Sequence, residues 1–167
     1  MKIFLLGFMG AGKSYWGKQL ADVWDLPFYD LDDVIVEAEE MAISDIFATK
    51  GEDYFREKES MLLRELSKQD KFLISCGGGT PCFEDNMDFM NERGITIWIN
   101  PSVPTMVERL SRKKAKRPLI QDLDDEELAV FVERKLAERL PFYQQSKHII
   151  ASDDISLETF TKNIDHA

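Results

Sequence analysis

The sequence predicts an α/β domain with a mostly parallel sheet covered on both faces by helices. Three observations predict it. Short apolar runs of strand length alternate with longer amphipathic stretches along the chain. The first run ends in a glycine-rich turn that opens a helical stretch, the start of a strand–turn–helix unit. A chain of 167 residues, 44% hydrophobic, can bury one real core but is too short for two ordinary domains, so residues 1–167 read as one.

Ile3-Phe4-Leu5-Leu6 is an unbroken apolar run, as a strand buried on both faces requires. Ser14 to Asp25 is helical, with Trp16, Leu20 and Val23 or Trp24 spaced for one inward face. Pro27-Phe28-Tyr29 is a short second strand running to Asp30. Asp32 to Met41 and Ser44 to Gln69 have helical spacing, the second broken near Gly51. Lys71 to Cys76 is a strand, Glu84 to Arg93 a helix and Ile95 to Asn100 a strand. Val103 to Leu110 is a helix after a proline-marked turn. Asp124 to Lys147 reads as one long helix with a kink at Pro141, because proline removes a backbone donor. His148 to Ala151 closes the strand set and Leu157 to Ile164 is a last short helix. In open parallel sheets ligands bind beyond the carboxyl ends of the strands. Gly7 to Ser14, Asp30 to Asp32 and Gly77 to Gly79 each follow a predicted strand, so three unusual clusters gather along one sheet edge.

The strongest chemical signal is Gly7-Phe8-Met9-Gly10-Ala11-Gly12-Lys13-Ser14, which matches G-x-x-x-x-G-K-[ST] in the strand–helix context that motif needs. Its glycines turn successive amides toward one concavity, and the following helix offers its positive end. Lys13 can then bridge β- and γ-phosphates, and the Ser14 hydroxyl can ligate Mg²⁺. Strand alternation puts the carboxylates of Asp30 and Asp32 on one side, as a metal site would want, and Asp32 or Asp33 also suits a helix N-cap. Three glycines in a row, Gly77 to Gly79, are costly to order and suggest close passage of a ligand or another chain segment. Cys76 reads as a small buried residue and not a reactive thiol.

The net charge is −10, yet residues 109–117 hold six cations in nine positions and no acid, leaving −16 on the remainder. A solvated face is the bland reading of such a run. Its place before Pro118 and a loop suits a lid over nucleotide phosphates, mobile around 109–123. Arg56, after Tyr54 and Phe55, and Arg139, beside a proline corner, are natural bidentate clamps for an anion, although each alone could be a surface ion pair. Two cysteines and two histidines, His148 and His166, make no convincing four-ligand zinc site. An acidic chain is a poor nucleic-acid binder. The apolar start, Ile3 to Met9, is too short for an export signal before Lys13 interrupts it, and no run approaches a membrane span. The expectation is a cytoplasmic monomer with no membrane or nucleic-acid partner.

Together these pieces resemble shikimate kinase over nearly the whole chain. The resemblance rests on Gly7–Ser14 with Gly17 and Leu20-Ala21 behind it, then Asp30-Leu31-Asp32. It continues through Ile43-Ser44-Asp45-Ile46-Phe47, Gly51-Glu52 and Phe55-Arg56-Glu57. Gly77-Gly78-Gly79, Arg117-Pro118-Leu119 and Arg139-Leu140-Pro141-Phe142-Tyr143 complete it. The resemblance implies a P-loop fold of the nucleoside-monophosphate-kinase type, three-layered, with a five-stranded parallel sheet. It implies transfer of the ATP γ-phosphate to the 3-hydroxyl of shikimate with Mg²⁺, and a substrate-binding helical region around 32–62.

Carried onto this sequence, the resemblance makes Gly10, Ala11, Gly12, Lys13, Ser14 and Tyr15 the ATP-phosphate loop. Lys13 contacts the transferred group, while Ser14 and Asp30 hold the metal, Asp30 through water. Asp32 binds the acceptor hydroxyls and is the candidate base. Arg56 and Arg139 clamp its carboxylate beside Gly77, Gly78 and Gly79, with Arg139 also counted as catalytic. Arg117 swings in with the lid, and Arg109 (or Arg112, in an equivalent alignment) stacks near adenine. The departures are Tyr15 and Trp16, where the family has smaller residues, and Cys76, where it often has threonine or serine. A gluconate-kinase-like enzyme and a nucleotide-binding module without transfer chemistry are the competing readings. The two arginines with the triple glycine argue against the first, and the intact Lys13, Ser14, Asp30, Asp32 and Arg139 against the second.

Overall fold

The computed structural model describes residues 1–164; His166 of the histidine count lies outside the described residues. Five parallel strands form one sheet: β1 (Lys2–Leu6), β2 (Phe28–Asp30), β3 (Phe72–Ser75), β4 (Ile95–Ile99) and β5 (His148–Ile150). Their order is β2-β3-β1-β4-β5. Central β1 is in register with β3 on one side (Phe4 opposite Ile74) and β4 on the other (Phe4 opposite Thr96). The loops after β1, β2 and β3 therefore emerge side by side, and these loops carry the three clusters singled out in the sequence.

Alternation along β1 builds two core layers. Ile3 and Leu5 face α1 (Lys13–Val23) and α8 (Leu157–Ile164), packing with Leu20, Phe160 and Ile164. Phe4 and Leu6 face the other side, with Leu31 and Ile35 of α2 (Leu31–Glu39) and Phe55 and Leu63 of α4 (Glu52–Leu66). Met87 and Met90 of α5 (Asn86–Arg93) complete that layer. The short α3 (Ile43–Lys50) is separated from α4 by Gly51 at φ +83°, the break expected there. A third cluster joins Phe8 to Met106 and Leu110 of α6 (Val103–Ser111), Leu128 and Val132 of α7 (Asp125–Tyr143), and Ile120. Ile120 is fully buried, so the basic segment that follows α6 is pinned at both ends.

Three local expectations are corrected. Val23 is 57% exposed, and the inward face of α1 is formed by Gly17, Leu20 and Ala21 with Trp16 and Trp24 at its margin. α7 stops at Tyr143 instead of Lys147. The amide of Lys147 is taken by Thr96 Oγ1 of β4 at 2.8 Å, which turns the chain into β5. The N-cap of α2 is Asp30, neither Asp32 nor Asp33. Its Oδ1 accepts from the amides of Asp32 (3.1 Å) and Asp33 (3.4 Å), because the helix already begins at Leu31.

Candidate active site

The loop after β1 holds Gly10 at φ +81° and Gly12 at φ +98°, left-handed angles that a side chain would resist. Gly12 caps α1 without a side-chain hydrogen bond, leaving the first-turn amides to an anion. The loop walls a cavity of about 580 Å³, which Lys13, Ser14, Asp30, Asp32, Gly77 and Gly78 also line. Lys13 Nζ donates to the carbonyls of Gly7 (2.7 Å) and Phe8 (3.0 Å). Burial pulls its ammonium down to about 8, against the opposing charge of Asp32.

Asp30 and Asp32 reach the same cavity, but not by strand alternation. Asp30 ends β2, and Asp32 is already in the first turn of α2. Ser14 Oγ donates to Asp30 Oδ2 at 2.7 Å. A hydroxyl and a carboxylate so placed are hard oxygen donors suited to Mg²⁺, which commonly fills its shell with water and substrate phosphates. No group of three or more histidine, cysteine or acidic side chains among the described residues could hold a metal alone. The donor set thus fits a divalent cation that arrives with a nucleotide. Asp32 is half-buried near Asp30 and Glu59, and desolvation first, then these carboxylates, pushes its carboxyl up to about 6.

None of Gly77, Gly78 and Gly79 has a positive φ, so backbone angle does not explain them. Space does. A Cβ on Gly77 would lie 3.0 Å from Asp32 Oδ1, one on Gly78 2.8 Å from Arg139 Nη1, and one on Gly79 2.6 Å from Arg56 Nη2. Each glycine makes room for one polar side chain, so the segment that passes close is the site's own wall. Arg56, Arg139 and Asp32 are brought together along this stretch, although Arg56, Gly79 and Arg139 do not line the cavity itself.

In the basic segment, Arg109 donates from Nη1 to the carbonyls of Gly10 (3.2 Å) and Ala11 (3.4 Å). Arg109, Arg112, Lys113 and Arg117 line the cavity. Arg112 pairs with Glu108, and Lys114 turns away to Asp125 at 3.5 Å. Tyr15 is 65% exposed on the cavity rim, edge-on to Trp16 at 5.2 Å, and Trp16 packs on Phe160. Ala11 is fully buried and does not line the cavity.

Residues 9–166 match the family model described as shikimate kinase. The chain belongs to the shikimate kinase family. It is 41% identical over 155 residues to the shikimate kinase of Bacteroides thetaiotaomicron, covering 93% of this chain and 89% of that one. To that of Parabacteroides distasonis it is 40% identical over 166 residues, 99% and 96% of the two chains. The crystal structure of the B. thetaiotaomicron shikimate kinase superposes with a TM-score of 0.91 at 38% identity over 99% and 95% of the chains. An Acinetobacter baumannii shikimate kinase solved in complex with shikimate gives 0.85 at 30% identity over 99% and 90%. The chain is thus an ATP-dependent kinase, and no helix among its described residues is long and apolar enough to cross a membrane.

The candidate site contains groups the sequence did not announce. Glu59 is 1% exposed, accepts from Arg56 Nη1 at 2.9 Å and from Thr80 Oγ1 at 2.7 Å, and so fixes the arginine from behind. Burial pushes its carboxyl up, with the Arg56 guanidinium and the Thr80 hydroxyl pulling the other way. The only sequence signal was an acid three residues after Arg56 on a helix, a spacing shared by many surface pairs. Tyr143 is fully buried against Trp98, yet its hydroxyl donates to the carbonyl of Gly78 at 2.5 Å. The buried Cys76 thiol is pushed well up, chiefly by burial, which suits a packing residue.

Proposed function

We propose that the chain transfers the γ-phosphoryl group of Mg²⁺-bound ATP to the 3-hydroxyl of shikimate, giving shikimate 3-phosphate and ADP. The convergence of Asp32, Arg56 and Arg139 on the three glycines beside the phosphate loop carries this reading. A small polyhydroxylated acid needs an arginine fork for its carboxylate and a carboxylate for its hydroxyls, and both are present next to Lys13. Arg56 and Arg139 hold the acid's carboxylate. Asp32 accepts from the reacting hydroxyl and orients it. Lys13 leaves its loop carbonyls for the phosphate oxygens, and the amides of Gly10 to Tyr15 cradle them. Ser14 and Asp30 hold the divalent cation, which when bound offsets charge on the phosphates and the transferred group. Arg109 lies against the nucleotide, and Arg117 closes with segment 109–123 to exclude water. The roles assigned here call on residues of a single chain, and the working unit of this reading is a monomer.

ADP release from Mg²⁺-bound ATP, measured with shikimate, gluconate or no acceptor, tests the reading. Dependence on shikimate alone is expected, and dependence on gluconate would discard the roles of Arg56 and Arg139.

Two further outcomes are expected. Gly79→Ala pushes a methyl group against the Arg56 guanidinium. It should cut kcat/KM for shikimate on the order of a hundredfold, since misplacement of about 1 Å costs that much. Its KM for ATP and melting temperature should stay near those of the parent. Replacing Lys113, Lys114 and Lys116 together with alanine should raise the KM for ATP a few-fold through Lys113 alone, because Lys114 is paired with Asp125 and Lys116 is exposed. The KM for shikimate should not change, and steady-state kinetics with each substrate varied distinguishes the two.

A further inference from the structure

Phe83 follows the short 3-10 turn Thr80–Cys82 and leaves a large apolar ring 37% exposed. Its ring centre lies 4.1 Å from Arg56 Cζ, within the range of a cation–π contact and nearer than the Phe55 ring at 5.1 Å. The next two residues, Glu84 (φ +51°) and Asp85 (φ +54°), are consecutive non-glycine residues in the left-handed region, a conformation that persists only where neighbours enforce it. Arg64 enforces it, donating from Nη2 to the carbonyl of Glu84 at 3.0 Å and from Nη1 to Asn86 Oδ1 at 2.8 Å. A strained, tied-down turn thus ends in a ring set on the guanidinium of Arg56.

A face contact consumes no N–H donor. Glu59 takes Nη1 of Arg56 from one side. Nη2 points toward Gly79 and has no hydrogen-bond acceptor among the described residues. We propose that Phe83 is a positioning residue for the acceptor: its ring fixes the plane of the Arg56 guanidinium so that the edge left by Glu59 meets the acceptor's carboxylate. This rests on the reading of Arg56 as a carboxylate clamp, and it adds that anion affinity is set by a ring that never touches the acceptor's reacting atoms.

The test compares Phe83→Ala, Phe83→Leu and Phe83→Tyr in the full chain, with shikimate-dependent ADP release by the parent as the control that the clamp reading itself holds. Phe83→Ala is expected to raise the KM for shikimate about fivefold, as a partly exposed cation–π contact allows. Its kcat and its KM for ATP should stay within about twofold of the parent. Phe83→Tyr should restore the parent value, while Phe83→Leu, which keeps volume but no aromatic face, should behave like the alanine variant. In an Arg56→Ala background, loss of the ring should have no further effect. With an active parent, the proposal fails if Phe83→Ala leaves the KM for shikimate unchanged or if leucine rescues as well as tyrosine. It also fails if KM for ATP or the melting temperature shifts along with it, which would mark the ring as merely structural.

Discussion

Asp32→Asn should abolish most phosphoryl transfer while making the protein more stable at pH 7. The carboxyl sits at about 6 in the folded chain against an ordinary 3.8. The folded state therefore holds this proton more tightly than the unfolded one, so the associated stability is full below pH 4 and is lost as pH rises to about 6. Above pH 6 the ionised group is a cost of about 3 kcal/mol, at roughly 1.4 kcal/mol per pKa unit. Asparagine removes that cost, and a rise of about 8 °C in melting temperature is expected at pH 7 but not at pH 4. Activity should fall by about 10²- to 10⁴-fold, the usual contribution of a positioned proton acceptor. In the parent, kcat/KM for shikimate should drop about tenfold per pH unit below 6. Melting curves at the two pH values and one pH–rate profile check all three. A variant destabilised at pH 7 would remove the burial argument.

Lys13→Met should reduce transfer at least a thousandfold, because a cation at the transferring group is worth that much in phosphoryl transfer. The same lysine leaves a signature in binding. Its ammonium is held down to about 8 by burial, and phosphate charge opposes that effect. ATP binding at pH 8 should then take up close to half a proton per site, and far less at pH 6. Calorimetry in buffers of different ionisation enthalpy reads this number, and it should vanish in Lys13→Met. That variant should melt no lower than the parent at pH 7, since a buried ammonium costs stability below its folded pKa. Equal proton uptake in parent and variant would overturn the assignment.

Much of the fold was legible because the residues that decide it are local. The apolar run of β1 and the glycines that follow it mark a strand–turn–helix unit without help from the rest of the chain. Gly51 was visible as a break between α3 and α4 for the same reason. Element ends were less legible, since they depend on distant partners. Nothing near Lys147 says that Thr96 takes its amide. The site divided along the same line. Lys13, Ser14, Asp30 and the two arginines stood out as residue types in telling places. Glu59 and Phe83 did not, because their roles exist only where α4 meets the turn after β3. The glycine triplet reads in the sequence as a place of close passage, but which side chains pass there, Asp32, Arg139 and Arg56, comes only from the fold.

That space has a consequence for how such a chain ages. No backbone angle at positions 77–79 asks for glycine, and the atoms a methyl group would meet first are the ends of Asp32, Arg139 and Arg56, side chains of the site. A copy released from its substrate would drift to alanine or serine there with little change in cellular abundance, while a copy under selection could accept no larger residue. In a scan that scores abundance and activity separately, these three positions should stand apart from Ile3, Phe4 and Leu5, where both scores fall together.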